Sequence, residues 1–214
     1  EYYDNFSGKK IPFTNEDKEI VGYVFVKGKE VTIAYSGTIN WKDVGTDLNA
    51  FPTSIDFLKE GKAHKGFHDR FTSSRSNLLR VLKCHKVLIW KARLEVNKYY
   101  SRINVTGYSM GGAVAQICAL YFNQVISCEN IYVATFAGPK VFNSKASKIY
   151  NEALGERTVR VTHEKDIIPK SPCWYVHAGE KLVVSIKECD QFKKELKNNV
   201  DTPARYCPTI VSHT

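Results

Sequence analysis

Gly107-Tyr108-Ser109-Met110-Gly111 centres a serine hydroxyl between two glycines, a spacing that suits a serine presented at a sharp turn as a nucleophile. A serine hydroxyl is weakly nucleophilic unless a neighbouring base takes its proton, and a third group must orient that base. An acid follows at Asp166, in Thr162-His163-Glu164-Lys165-Asp166-Ile167-Ile168-Pro169. A carboxylate just after a strand sits at the carboxyl edge of a parallel sheet, where α/β sites form. The same Asp166 could instead cap a helical turn beginning at Ile167. Three histidines flank or follow it. His163 is almost adjacent to the acid along the chain, whereas His177 and His213 lie further on, and both are candidate bases. The negative oxygen that develops during acyl transfer needs two backbone N–H donors. One belongs to the residue after the nucleophile, Met110, and a loop after an early strand, Tyr35-Ser36-Gly37-Thr38, offers Thr38 as the other. This chemistry needs no metal and no cofactor.

Such groups work only if the chain between them builds a rigid frame. Arg102-Ile103-Asn104-Val105-Thr106 is β-prone, and the apolar run from Ala113 to Phe122 is helix-compatible, so Ser109 falls in a strand–turn–helix setting. Gly112, Ala113 and Ala115 allow that helix to approach its strand closely. Residues 20–27 and 30–36 read as a hairpin turning at Gly28-Lys29. Residues 66–100 carry Phe67, Phe71, Leu78, Leu82, Ile89 and Val96 at helical spacing without proline, which predicts one long helix or two abutting ones. Within them, 87–90 is also compatible with a strand. A strand at 130–137, a turn at Gly138-Pro139, a helix at 143–154 and a strand at 158–162 follow; the tail after residue 181 is less regular. Strands alternating with helices predict a single α/β domain over residues 1–214, its mostly parallel central sheet carrying helices on both faces.

A chain of 214 residues with 43% hydrophobic and 25% charged content suits one globular domain with a large core. No uninterrupted apolar run reaches the eighteen or so residues of a membrane-spanning helix. The opening Glu1-Tyr2-Tyr3-Asp4-Asn5 does not read as a signal peptide, which fits a cytosolic protein or one whose leader has been removed. Six cysteines, none in C-x-x-C spacing, argue against a metal knuckle, and Asn5-Phe6-Ser7 matches a glycosylation acceptor. Together these favour a secreted or endomembrane location. The net charge of +9 favours anionic partners such as acidic lipid surfaces. Without zinc-finger spacing, RNP-type aromatics or a dense basic block, nucleic acid is not supported as a partner. Most of the lysines read as solvated faces.

Taken in order, these segments resemble the fungal-type class 3 lipase family of the α/β-hydrolases. Tyr35-Ser36-Gly37-Thr38 is similar to the family's aromatic-x-Gly-Thr segment, and Trp41-Lys42-Asp43 onward to Asp47-Leu48 to the stretch that follows it. His64-Lys65-Gly66-Phe67 resembles its His-x-Gly-Phe stretch, and Gly107–Gly112 its Gly-His-Ser-Leu-Gly-Gly elbow, with Tyr108 in place of the usual His. Phe136-Ala137-Gly138-Pro139-Lys140-Val141 and Asp166-Ile167-Ile168-Pro169 resemble the later motifs. The resemblance implies Ser109 as nucleophile, Asp166 as orienting acid, Thr38 and Met110 as oxyanion donors, and a base near the carboxyl end, which favours His213 with His177 as the alternative. It also implies a lid at 39–48, with Trp41, Val44 and Leu48 on one helical face as lipid-contact candidates; a fixed surface helix fits the same pattern. The implied activity is carboxylic ester hydrolysis of acylglycerol-type lipid through an acyl-serine, with transient contact to anionic lipid surfaces. Alternatives on the same fold are a phospholipase, a feruloyl-type esterase, or a catalytically impaired lipase-like binding or signalling protein.

Overall fold

A computed structural model describes residues 8–37, 51–84 and 102–185. Its central sheet has seven strands: β1 (Lys9–Thr14), β2 (Ile20–Lys27), β3 (Glu30–Tyr35), β6 (Arg102–Tyr108), β7 (Ile131–Phe136), β8 (Thr158–His163) and β9 (Glu180–Val184), adjacent in that order. The first three pair antiparallel, and from β3 onward every pairing is parallel. A small second sheet pairs β4 (Pro52–Ser54) with β5 (Lys62–His64). Three α-helices are described: α1 (Lys65–Cys84), α2 (Met110–Gln124) and α3 (Ser144–Leu154).

Strand alternation decides where the core sits. Val31, Ile33 and Tyr35 on β3 pair with Ile103, Val105 and Gly107 on β6; these in turn pair with Ile131, Val133 and Thr135 on β7. All nine are buried on one face, and the seven apolar ones, leaving out Gly107 and Thr135, share a single cluster with the three helices. Helix α2 is at its centre, with every residue from Met110 to Phe122 buried, as a helix apolar all round must be. Helix α1 contributes Phe67, Phe71, Leu78 and Leu82 from one stripe. Helix α3 starts at an Asn143 cap whose side chain accepts from the Ala146 amide at 3.0 Å and also from the Lys62 amide at 3.0 Å, tying the helix to β5.

Hairpin, elbow strand, and the strands and helix that follow stand where the sequence puts them, to within a residue or two. The helical reading of 66–100 is realised as α1 to Cys84, and residues 85–100 lie outside the described ones. Four strands exceed the sequence reading: β4 and β5 of the small sheet, and β1 and β9 at the two edges of the central one. β1 carries Pro12 between Ile11 and Phe13, which looks unlike a strand, yet β1 is an edge strand, the place in a sheet where a proline is tolerated. The segment expected to be irregular after residue 181 begins as edge strand β9, parallel to β8.

Candidate active site

Strand β6 runs straight into α2, and the whole change of direction falls on Ser109. Its φ of 54° and ψ of −125° lie in a region that L-residues rarely occupy, a strain of about 1–3 kcal/mol that persists only where the surroundings enforce it. They do so through the backbone. The Ser109 amide donates to the Phe136 carbonyl on β7 at 2.8 Å, and its carbonyl accepts from the Gly112 amide at 2.9 Å. A Cβ on Gly111 would collide with the Tyr35 carbonyl at the end of β3. One on Gly112 would lie 3.1 Å from the Gly107 carbonyl and 3.2 Å from Thr135 Cβ. Glycine is therefore required at Gly111, and at Gly112 a side chain would press on its neighbours. The Ser109 hydroxyl, fully buried at the N-cap of a fifteen-residue helix, has no hydrogen-bond partner among the described residues. The partial positive charge of that helix end favours negative charge developing beside it.

Met110, also buried, opens α2, the position from which an oxyanion donor is expected. The strand expected to supply the second donor comes up against the elbow. A Cβ on Gly37 would meet the Tyr108 carbonyl at 3.0 Å, the Tyr108 ring at 3.5 Å and Ser109 Cβ at 3.8 Å. Thr38, the next residue, lies outside the described ones, as do Trp41, Val44 and Leu48 of the expected lid.

Asp166 is buried in the loop after β8. Its Oδ1 accepts the Ile168 amide at 2.9 Å, and its own amide donates to the His163 carbonyl at 3.1 Å. The bond from Ile168 closes a local turn leading into the short 3₁₀ segment Ile168–Lys170, whose N-cap is Ile167 without a side-chain cap bond; Asp166 thus stands in the loop after the strand, and the capping alternative is not realised. The Tyr108 phenol, beside Ser109, has its pKa raised first by burial and then by the Asp166 carboxylate, whose charge is thus felt at that phenol.

None of the four described histidines bonds to the Ser109 hydroxyl. His177, the alternative base, has its Nε2 2.6 Å from the Pro169 carbonyl oxygen, while its Nδ1 is buried without a partner. Burial, helped by the Arg160 charge, pulls its pKa down to about 4, so it is neutral and its N–H points at Pro169. His64 stacks on Phe67 with ring centroids 4.0 Å apart and is likewise pulled down to about 4 by burial. His68 faces Asp56 at 3.2 Å, and the His163 Nδ1 accepts the Lys165 amide at 3.3 Å. His213 lies outside the described residues. No group of three or more His, Cys, Asp or Glu among the described residues is arranged to hold a metal.

Sequence reasoning missed the Phe136 carbonyl that fixes Ser109. The signal was there: Phe136-Ala137-Gly138-Pro139 ends a strand at the level of the elbow, and Ala137 has a positive φ of 52° as the chain turns away.

The model of the lipase (class 3) family matches residues 32–176, and the chain belongs to that family. It is 29% identical to a lipase from Rhizomucor miehei over 165 residues, covering 73% of this chain and 42% of that protein. It is 27% identical to phospholipase A1-II 4 from Oryza sativa subsp. japonica over 214 residues, covering 87% of this chain and 54% of that protein. The fold matches the crystal structure of a lipase from Rhizopus microsporus var. chinensis with a TM-score of 0.69 at 21% identity, over 83% of this chain and 61% of the other. The architecture is thus the α/β-hydrolase fold. The chain spans about half the length of these two curated relatives.

Proposed function

We propose that the chain is the catalytic part of a serine carboxylic ester hydrolase acting on acylglycerol-type lipid. The observation that carries this reading is Ser109 itself, a buried, strained residue at a helix N-terminus whose hydroxyl no described group engages. In the proposed reaction Ser109 Oγ attacks the ester carbonyl while a histidine takes its proton. The resulting oxyanion is held by the N–H groups of Met110 and Thr38, each donor contributing about 3 kcal/mol to the transition state. The histidine returns the proton to the departing alcohol, leaving an acyl-serine that water hydrolyses by the same route. Asp166 orients the imidazole. His213 is the proposed base, supported by the engagement of His177 with Pro169. Trp41, Val44 and Leu48 are the proposed lipid-contact face of a lid.

Hydrolysis of a short-chain p-nitrophenyl ester by the protein and by Ser109→Ala tests the nucleophile. Turnover unchanged by the substitution contradicts it. His213→Ala and His177→Ala separate the two bases: loss in the second alone reverses the assignment. The similarity to a rice phospholipase A1 supports a second reading within the same chemistry, cleavage of phospholipid acyl esters. Comparing release of fatty acid from tributyrin and from phosphatidylcholine decides between them. A secreted or endomembrane location is supported by the Asn5-Phe6-Ser7 acceptor, and a mobility shift on enzymatic deglycosylation of the natural protein tests it.

A further inference from the structure

The imidazole of His177 stands in a frame to which the proposed chemistry gives no task. Residues 176–179 are pinned to the body of the fold. The Val176 amide donates to the Phe142 carbonyl at 2.8 Å, and the Ser147 hydroxyl of α3 donates to the His177 carbonyl at 2.9 Å. Gln116 of α2 donates to the Ala178 carbonyl at 2.9 Å, and the Gly179 amide donates to Asn151 Oδ1 of α3 at 2.8 Å. Because α2 begins at the Ser109 elbow, this frame is tied to the nucleophile's own helix.

From that frame the ring crosses to the loop bearing Asp166, where its Nε2 lies 2.6 Å from the Pro169 carbonyl oxygen. Pro169 belongs to a closely bonded turn. The Ile168 amide donates to Asp166 Oδ1 at 2.9 Å, the Lys170 amide to the Ile167 carbonyl at 3.0 Å, and the Ser171 amide to the Ile168 carbonyl at 3.1 Å. The proline ring fixes its own φ, which stiffens the turn further. A displacement of Pro169 is therefore passed to the Asp166 carboxylate.

The protonation state of the ring suits a clamp. Burial first, and then the charges of Arg160, Lys140 and Lys181, keep His177 neutral. A neutral imidazole carries one N–H, and the short contact of Nε2 with a carbonyl, an acceptor only, fixes it on that nitrogen.

We propose that His177 is the positioning residue of the acid: its Nε2–H clamps the Pro169 carbonyl and so holds the Asp166 carboxylate where it orients the imidazole of the base. This deepens the triad reading and rests on it. The Ile168 amide occupies Oδ1, so Oδ2 is the oxygen presented to that imidazole.

The test is a set of variants assayed on a soluble short-chain ester, well below each unfolding midpoint. His177→Gln places an amide N–H the same number of bonds from Cβ as Nε2–H and is expected to keep most of the turnover. His177→Leu, and His177→Asn, whose amide stops one bond short of Pro169, are expected to lower kcat on the order of 10–10²-fold with KM nearly unchanged, the cost of a misplacement near 1 Å. In an Asp166→Asn background the same His177→Leu change is expected to cost almost nothing more, since the carboxylate it misplaces has already lost its charge. A ring with a structural role alone would lower the unfolding midpoint and leave kcat in place. Parental kcat in both His177→Leu and His177→Asn overturns the proposal, as does a fully additive loss in the double variant. His177→Gln as inactive as His177→Leu overturns it too, because the ring would then be carrying protons. Each of these results leaves Asp166 standing as the acid. Parental turnover in Asp166→Asn removes the clamp's object and overturns the proposal and the acid assignment together.

Discussion

Gly107 and Gly111 meet backbone to backbone across the elbow, so closely that a Cβ on Gly107 would overlap the carbonyl carbon and oxygen of Gly111. The atoms in the way are main chain and belong to the first turn of α2, which is itself wedged against Tyr35 and Ser36. Nothing flexible can move aside. Gly107→Ala is therefore expected to destabilise the fold by roughly 2–4 kcal/mol, as overpacking against backbone does, and to abolish turnover. Chemical denaturation and ester hydrolysis measured on the same sample check this; a midpoint within error of the parent contradicts the close approach.

Asp166 has two duties that separate by substitution. Asp166→Asn keeps an oxygen for the Ile168 amide and is expected to fold with little change, while turnover falls by roughly 10⁴-fold because the imidazole loses its charged orienting partner. Asp166→Ala additionally loses the bond to the Ile168 amide and about 1 kcal/mol of stability. The asparagine variant also removes the charge that raises the Tyr108 phenol, so its titration, followed by NMR of labelled tyrosine, is expected to shift downward. An unmoved Tyr108 titration places the acid too far from the elbow.

Stability is expected to depend on two histidines whose protonation burial opposes. His64 and His177 are held near pKa 4 when folded, against an ordinary 6.5. The unfolded chain therefore takes up protons that the folded one refuses. Stability is full above about pH 6.5 and declines as the pH falls toward 4, below which no further loss comes from these groups. His64→Gln and His177→Gln should each flatten that slope in unfolding midpoints recorded across the range. An undiminished slope in both variants would mean that other groups set the acid sensitivity.

Thiol accessibility offers a check on the core. Cys118 and Cys128 are buried, and burial pushes their thiols up to about 12 and about 11, whereas Cys84 and Cys173 are exposed and free. A native-state alkylation pulse mapped by peptide mass is expected to modify Cys84 and Cys173 and to spare the other two until denaturant is added. Rapid labelling of Cys118 would mean that α2 is not the packed centre of the sheet.

How much of this was legible in the sequence depended on how local the cause was. The elbow could be read because its glycines, its β-prone lead-in and its apolar helix lie within about twenty residues, and each obeys a short-range steric rule. Asn143 and the helix after it were legible for the same reason. The edge strands β1 and β9 were not, since Pro12 and the lysines around it give no periodicity and only pairing with β2 makes that segment a strand. Nor could spacing show that the Pro169 carbonyl faces the His177 ring, or that Phe136 holds the Ser109 amide; both contacts depend on three-dimensional register. Asp166 lay between these cases: its residue type and position after a strand marked it, and only the fold shows that one carboxylate both accepts the Ile168 amide and lies within electrostatic reach of Tyr108.

The central claim, that Ser109 is the atom-transferring nucleophile, is tested most directly by covalent capture. The protein is incubated with an alkyl phosphonate ester carrying a p-nitrophenol leaving group, and the adduct is located by peptide mass. One phosphonyl group per chain on Ser109, formed in step with loss of ester hydrolysis and absent from Ser109→Ala, is the predicted result. An inactivated enzyme whose adduct sits on another residue, or an active enzyme that leaves Ser109 unmodified, would contradict it.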